Sequence, residues 1–435
     1  MFREIFNWNN EFGRGRCCML YSAWIFKFLR DVIIGTLYVA YLSSIGFTLN
    51  EVSILSSVWL ASSFCSFLSA AILERFPRRR YVLLIGKLLY YLLNLVGLTV
   101  IPLFVSDRAS LMVIFTVIIF VSGALFNIVN GGYLTWHSNF VKGDNAAYYF
   151  SVQQTTMNIF GSIFLLGMSR FVDHFKAGGN AGWVFLVVRG IAVLFAVTDL
   201  FVLSIPKEYP YPKSTERIEL KNLVLIPFGH KKFIMTMGIY AIWLLSMGLT
   251  ETVGFYHLQN EVGVSMTLLN MYTPMYALLL LLTSGFWRMV ISKKSWLVTF
   301  GIAGMLHAPS VLLTAFVTGS NAYWLYLVII MIQSVAGVGL NLADLNMVYV
   351  NTPDVDQTYY IGFFSMLQNL GPFIGKLIGG IFIGILGERT VLFAGIPFGS
   401  VRFLYVFQFI GLMVCSLLFI ATRKRLMPDR KEIRT

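Results

Sequence analysis

The chain has 435 residues, of which 57% are hydrophobic and only 12% are charged, and its formal net charge is +13. A soluble globular protein carries about 25% charged residues, so the composition excludes an ordinary soluble domain or a string of them. A basic excess can indicate a nucleic-acid-binding protein, but in so hydrophobic a chain it has a simpler use at the membrane surface, and no nucleic-acid partner is predicted.

Long apolar stretches separated by short polar loops run along the chain. A helix needs about 20 apolar residues to cross the hydrocarbon core of a bilayer, and these stretches are too long and too evenly apolar for barrel strands. They predict an all-α membrane protein with twelve transmembrane helices. We number them as spans 1 to 12, over residues 17–43, 51–72, 81–103, 109–133, 147–171, 181–205, 233–257, 265–289, 296–317, 322–349, 358–386 and 400–422.

Basic residues are distributed unequally between the two sets of loops. If the chain crosses the membrane at each span, 23 of the 33 Lys and Arg residues fall on one side, whereas only Arg108, Lys176 and Arg389 fall in the opposite loops. Lys and Arg accumulate on the cytoplasmic side of membrane proteins. The pattern therefore predicts a multi-pass protein of the cell (plasma) membrane with both termini in the cytoplasm.

The longest polar segment lies between spans 6 and 7. Residues 206–232 contain prolines and six Lys or Arg residues, which predicts a cytoplasmic linker. It separates an N-terminal six-helix bundle, 1–205, from a C-terminal six-helix bundle with a cytoplasmic tail, 233–435. A basic turn follows span 2 and recurs after span 8, so the halves are interpreted as parallel repeats, one of the recurring transporter designs.

The loop after span 2 contains an acidic residue followed by several arginines. Glu74 is followed by Arg75, and Arg78 and Arg79 come shortly after. This order resembles the signature loop of the major facilitator superfamily, of the form G-x-L-a-D-R-x-G-R-R/K, with its two glycines replaced here. The resemblance implies two pseudo-symmetric six-helix bundles, the MFS fold, and a cytoplasmic gate that these four residues form. Asp344, near the cytoplasmic end of span 10, is a further gate candidate.

Ionisable groups within membrane spans are costly and usually face a cavity or a partner, and four of them are functional candidates. Arg30 and Asp31 lie near the middle of span 1, Glu251 is the only charge of span 7, and Lys376 lies deep in span 11. Asp31 and Glu251 are predicted to carry the coupling proton, and Arg30 and Lys376 to hold an anionic group of the solute. The alternative left open is that these charges form structural pairs, or that Glu251 faces water.

Uncharged polar residues recur on the faces of several other spans. Amide side chains both donate and accept hydrogen bonds, so they suit a polar organic solute, although such residues also form hydrogen bonds between helices. The predicted solute-binding residues of this kind are Asn127, Asn130, Gln154, Asn158, Asn270, Tyr276, Gln333 and Asn341.

The remaining motifs separate the function classes. The chain has neither a phosphate-binding loop nor metal-ligand spacing, so no cofactor, no metal and no enzyme activity are predicted. The main hypothesis is a monomeric secondary active transporter, a symporter or antiporter, that carries a small polar or anionic solute by alternating access with proton coupling. The alternatives are a proton-linked drug exporter, whose glycine-rich signature has only a displaced counterpart from Gly371 to Gly375, a non-transporting sensor derived from this family, and a membrane enzyme that modifies lipids.

Overall fold

A computed structural model describes residues 6–73, 76, 78–141, 146–177, 181–208, 222–347, 351–352, 357–387, 389–393 and 396–426. Almost every element in these ranges is helical, as the apolar stretches predict. The chain divides into two compact units, and the division falls between the helix that ends at Leu203 and the helix that begins at Asn222. The bundle and linker boundaries proposed from the sequence remain predictions.

The N-terminal unit contains the helices of spans 1 to 6. Span 1 is interrupted, and spans 2 and 3 change helix type along their length. The α-helices are Glu11–Ile33 and Thr36–Ser44 in span 1, Leu49–Ser62 and Leu68–Leu73 in span 2, Arg80–Tyr91 and Leu98–Val100 in span 3, Arg108–Phe140 in span 4, Ala146–Ala177 in span 5 and Ala181–Leu203 in span 6. A 3-10 turn, Ser63–Phe67, joins the two parts of span 2, and a π-helical segment, Leu92–Gly97, lies within span 3.

The C-terminal unit contains the helices of spans 7 to 12. A short helix, Asn222–Gly229, precedes them within the predicted linker. The other α-helices are Lys231–Gly248 and Val253–Tyr256 in span 7, Met266–Leu269 and Tyr272–Lys293 in span 8, Trp296–Thr314 in span 9, Ala322–Met347 in span 10, Gln357–Leu386 in span 11 and Ser400–Leu426 in span 12. A π-helical segment, His257–Glu261, ends span 7, and two antiparallel strands, Val391–Phe393 and Ile396–Phe398, lie between spans 11 and 12.

The helical segments match the predicted order of spans. Within the described ranges, nine helical stretches are both long and apolar enough to cross a bilayer. They correspond to spans 3, 4, 6, 7, 8, 9, 10, 11 and 12, and the helices of spans 1, 2 and 5 are not among them. The all-α membrane fold is therefore confirmed.

The interruption of span 1 lies directly after its mid-span charges. The helix ends at Ile33, and both Ile34 and Gly35 donate their backbone N–H to the carbonyl of Arg30. A Cβ at Gly35 would lie 2.7 Å from Cα and 2.8 Å from Oδ1 of Asp31. Only glycine fits so close to the end of the helix, and the break leaves Asp31 in the last helical turn.

Spans 7 and 11 approach each other through a row of glycines. A Cβ at Gly375 would lie 2.2 Å from the carbonyl oxygen of Leu245, and one at Gly379 would lie 2.6 Å from the carbonyl oxygen of Leu249. Gly371 has the same spacing and packs against Leu244. Small residues four apart let helix backbones touch in a membrane. The displaced glycine-rich string of span 11 is therefore explained by helix packing.

Candidate functional site

A buried ion pair joins spans 3 and 6 in the N-terminal unit. The Lys87 ammonium lies 2.7 Å from Oδ2 of Asp199, and the two side chains are 8% and 0% exposed. The Tyr91 hydroxyl donates to the same oxygen at 2.6 Å, and Lys87 also donates to Oγ of Ser22 at 3.3 Å. Unpaired charges are costly inside a bilayer. The ion pair and the two hydrogen bonds give Lys87 and Asp199 polar partners, so neither charge is left unpaired.

Helix periodicity and aromatic rings together hold Lys87 in this position. Lys87 and Tyr91 are four residues apart on one helix, so both side chains lie on the face that meets Asp199. The ammonium also lies over three rings, with distances to the centroids of 4.9 Å for Tyr133, 5.5 Å for Phe26 and 5.8 Å for Tyr91. Cation–π contacts of this kind stabilise a desolvated cation.

The lysine of this pair lies on the wall of a cavity of about 160 Å³ within the N-terminal unit. Four aromatic rings and several polar groups from spans 1, 3, 4 and 5 form the wall. The rings belong to Phe26, Tyr90, Phe126 and Tyr133, and the polar side chains are those of Ser22, Lys87, Asn130, His137 and Gln153. An apolar, concave wall with a few convergent polar groups is the usual chemistry of a site for a small organic ligand.

The predicted polar residues of the N-terminal unit are placed differently from one another. Asn130 lines the cavity, whereas Asn127 donates its amide to the backbone carbonyl of Gly123 at 2.8 Å. Gln154 is exposed, and its neighbour Gln153 lines the cavity instead. Asn158 is half-buried on span 5. One of the four therefore borders the cavity.

Arg30 and Asp31 do not form an ion pair with each other among the residues that the structure describes. Arg30 is exposed, and Oδ2 of Asp31 is buried with no hydrogen-bond partner in that part of the chain. A buried carboxylate oxygen without a donor is costly in its ionised form. The roles of Asp31 in proton coupling and of Arg30 in solute binding stay predictions.

Arg189 of span 6 is a buried arginine with a structural explanation. Its guanidinium donates to the backbone carbonyl of Asn94 and to Oγ1 of Thr99, and it lies 4.3 Å from the ring centroid of Tyr41. Asn94 belongs to the π-helical segment of span 3, where the regular pattern of backbone hydrogen bonds is disturbed. Arg189 donates a hydrogen bond to a backbone carbonyl of this segment.

In the C-terminal unit, the structure brings together two residues that the sequence singled out separately. The Lys376 ammonium lies 3.1 Å from Oε2 of Glu251, with side chains that are 9% and 59% exposed. Lys376 follows Gly375 and Glu251 lies in the segment after Gly248, so both project from the glycine-packed crossing of spans 7 and 11. Each residue thus has the other as its charged partner.

The remaining predicted residues of the C-terminal unit lie on spans 8 and 10. The rings of Tyr276 and Tyr272 stack with centroids 5.9 Å apart, and both approach Gly337 of span 10. Asn270 is buried, Gln333 is half-buried and Asn341 is exposed. Their role in binding a solute stays a prediction.

Of the gate residues predicted in the loop after span 2, the structure describes Arg78 and Arg79. Glu74 and Arg75 are outside the described residues, and Arg78 is exposed. The carboxylate of Glu208, which follows span 6, accepts the backbone N–H of Arg79 and, at 2.8 Å, that of Arg80. A carboxylate at this position stabilises the helix that begins span 3, because it lies at the positive N-terminal end of the helix dipole.

Asp344, the remaining gate candidate, is tied to the same unit's span 7. The Tyr240 hydroxyl donates to Oδ1 of Asp344. Gln368 of span 11 in turn donates to the Tyr240 hydroxyl at 3.4 Å. This chain of hydrogen bonds joins spans 7, 10 and 11, so Asp344 helps to hold three helices together whatever its part in gating.

Sequence reasoning missed Lys87, Asp199 and Gln153, although a signal for the first two was present. Lys87 is the only charge in span 3, and Asp199 is the only acidic residue in span 6. Ionisable residues alone in an apolar span usually have a partner in another span. Among the described residues, no group of three or more His, Cys, Asp or Glu side chains could hold a metal ion.

Comparison with known proteins agrees with this architecture. The family model for the Major Facilitator Superfamily matches residues 19–257, more than half of the chain. No curated protein matches the sequence. The matched residues begin within span 1 and run through spans 2 to 7.

Solved transporters share the fold at low sequence identity. The chain is similar to the nucleoside transporter NupG (12% identity, TM-score 0.65, 95% of this chain and 99% of that one covered) and to a D-xylose-proton symporter (14%, 0.67, 97% and 99%). It is also similar to a bacterial homologue of the iron transporter ferroportin (11%, 0.65, 94% and 98%). The family match and this fold point to a transporter rather than an enzyme, and the chain belongs to the Major Facilitator Superfamily.

Proposed function

We propose that this chain is a proton-coupled secondary transporter that carries a small polar or anionic organic solute across the plasma membrane by alternating access. The observation that supports it most is the cavity of the N-terminal unit, with the Lys87 ammonium on its wall. In this proposal the chain acts as a monomer, and both of its termini lie in the cytoplasm.

The cavity wall supports the choice of solute class. Hydrogen-bond donors for carboxylate, hydroxyl or carbonyl oxygens of a solute come from the side chains of Lys87, Asn130, Gln153 and Ser22. The aromatic rings provide flat apolar contacts for the carbon skeleton. A solute that combines a compact apolar part with an anionic or polar group satisfies both halves of the wall.

Proton coupling is proposed to involve Asp31 and Glu251. Asp31 supports this role through its buried and unpartnered carboxylate oxygen. Glu251 supports it through its exposure, because a proton from water can reach an exposed carboxylate that is paired with Lys376. A drug exporter is a weaker candidate, because the glycine-rich string of span 11 is accounted for by packing against span 7.

Reconstituted transport tests this proposal. Purified protein in proteoliposomes is given a pH gradient, and accumulation of labelled lactate, nicotinate, glutamate, uridine and xylose is measured. We expect at least one solute to accumulate when the pH gradient is present, and we expect this accumulation to disappear when a protonophore is added. The Asp31→Asn and Glu251→Gln variants should exchange solute but no longer accumulate it.

Asp107→Asn is the matched control, because Asp107 is an exposed carboxylate in the loop before span 4. It should accumulate solute as the unaltered protein does. Accumulation that does not depend on the pH gradient would rule out the proposed proton coupling. Export of a lipophilic cation such as ethidium, with none of the panel solutes moved, would favour the drug exporter.

A further inference from the structure

We propose that Lys87 binds the carboxylate of the solute and that Asp199, released from Lys87, takes up one proton in the same event. The site would then carry a small monocarboxylate and a proton together. This inference rests on the proposed transport function and deepens it by naming the solute class and a coupling residue beyond Asp31 and Glu251.

The position of Lys87 between two environments is the first step. Its ammonium contacts Asp199 on one side, and its side chain lines the cavity on the other. Asp199 is fully buried and is not part of the cavity wall. An ammonium group has three N–H donors, so Lys87 can donate to a solute in the cavity as well as to Asp199. The solute does not contact Asp199, because Asp199 does not line the cavity.

Competition for the ammonium is the second step. A solute carboxylate that binds Lys87 draws the cation away from Asp199. Removal of one partner of a buried pair leaves an uncompensated charge, which is strongly unfavourable. A proton on Asp199 removes that charge, and Oδ1 of Asp199 has no hydrogen-bond partner among the described residues, so it is free to hold the proton.

The charges balance in this exchange. Before binding, the ammonium and the Asp199 carboxylate neutralise each other. After binding, the ammonium pairs with the solute carboxylate, and Asp199 is a neutral acid whose Oδ2 still accepts the Tyr91 hydroxyl. The cluster therefore has no net charge in either state, and a monoanion enters with one proton and without movement of charge.

The surrounding groups leave Asp199 as the group in this cluster that gains the proton. Span 1 contributes the neutral Ser22 and Phe26 beside Lys87, span 3 contributes Tyr91, and span 4 contributes Tyr133. These phenols and the hydroxyl are neutral near pH 7. His137 of span 4 also lines the cavity, where its ring is 2.9 Å from the Tyr149 hydroxyl, and among the described residues of the wall it is a further group that could respond to pH.

Cavity size limits the solute. An engineered cavity of about 150 Å³ holds a benzene molecule, and the cavity here measures about 160 Å³. A single aromatic ring with one carboxylate fits this space and places its ring among the four aromatic side chains. Benzoate and nicotinate are therefore suitable probes, and benzamide and nicotinamide are their neutral counterparts of equal size.

The deciding experiment measures proton uptake on binding. Purified full-length protein in detergent and weak buffer with a pH indicator is mixed with benzoate, nicotinate or lactate, or with the matching amide. We expect about one proton taken up per bound carboxylate and none per amide. Because a proton binds with the anion, the affinity for carboxylate should fall about tenfold for each unit of rising pH.

Variants separate the two residues. Asp199→Asn should bind benzoate without proton uptake and with no dependence on pH. Lys87→Met should bind benzoate on the order of tenfold or more weakly while its affinity for benzamide changes little, because a charge-assisted hydrogen bond is lost. Asp107→Asn and Lys176→Met, which alter exposed charges of the same unit, should behave like the unaltered protein.

Three results would overturn the inference. They are carboxylates that bind no better than their amides, carboxylate binding without proton uptake in the unaltered protein, and proton uptake that persists in Asp199→Asn, which would assign the proton to His137 or another group. The first two need no variant, so a variant that fails to fold does not obscure the answer. If proteoliposomes still accumulate another solute, the proposed function stands although this inference has failed.

Discussion

Among the residues that the structure describes, each unit holds one lysine–carboxylate pair between membrane-spanning segments, but the two pairs differ in how far the carboxylate is buried. In the N-terminal unit, Asp199 is fully buried and Lys87 nearly so. In the C-terminal unit, Lys376 is buried but Glu251 is 59% exposed. An exposed carboxylate keeps most of its hydration without a partner, whereas a buried one does not. The same two residue types therefore differ in what their separation costs.

The surroundings of the pairs differ as well. Lys87 and Asp199 lie beside a cavity, so a solute can compete for the lysine. Lys376 and Glu251 extend from two helices whose backbones touch at Gly375 and Gly248. The first pair is placed for exchange of partners, and the second is placed by close helix packing.

The largest expected effect comes from breaking the buried pair. Lys87→Met should lower the free energy of unfolding by about 3–5 kcal/mol at neutral pH, because it leaves the Asp199 carboxylate buried and unpaired. The loss should shrink in the double variant Lys87→Met/Asp199→Asn, because the amide carries no charge. Thermal and denaturant unfolding in detergent measure this, and a double variant no more stable than Lys87→Met would contradict it.

A smaller effect is expected at the glycine-packed crossing. Gly375→Ala places a Cβ 2.2 Å from the Leu245 carbonyl oxygen, so spans 7 and 11 must separate, and overpacking of this kind costs about 1–3 kcal/mol. Gly384→Ala on the same helix is the matched control, because nothing lies within 4 Å of its Cβ position. Equal melting temperatures of the two variants would show that the close contact contributes nothing.

The smallest effect is expected when the residue left behind is the exposed one. Lys376→Met should change the free energy of unfolding by at most about 1 kcal/mol, because the Glu251 carboxylate that remains is 59% exposed and keeps most of its hydration. The same unfolding experiment checks this at low and high salt. A loss as large as that of Lys87→Met would mean that the two pairs are energetically alike, and the contrast between the units would fall.

The spans were predictable from the sequence, whereas the pairings were not. Glu251 and Lys376 each stood out as a charge in an apolar span, yet nothing in their local sequence assigned one to the other. Tyr91 and Asp199 are 108 residues apart and share a hydrogen bond. Of the two amides that line the cavity, Asn130 was predicted from the sequence, but Gln154 was predicted in place of Gln153. Successive side chains differ by about 100° in direction around a helix, and the local sequence did not indicate which of the two neighbours faces the cavity.

The sequence by itself determined that this chain is helical and spans a membrane many times, because the bilayer imposes a local requirement on length and hydrophobicity that each segment meets alone. Only the tertiary structure decided which charges meet, which polar groups line a cavity and which glycines lie in a crossing. Those outcomes depend on the rotation and depth of one helix against another, which packing of distant segments sets and no single segment encodes.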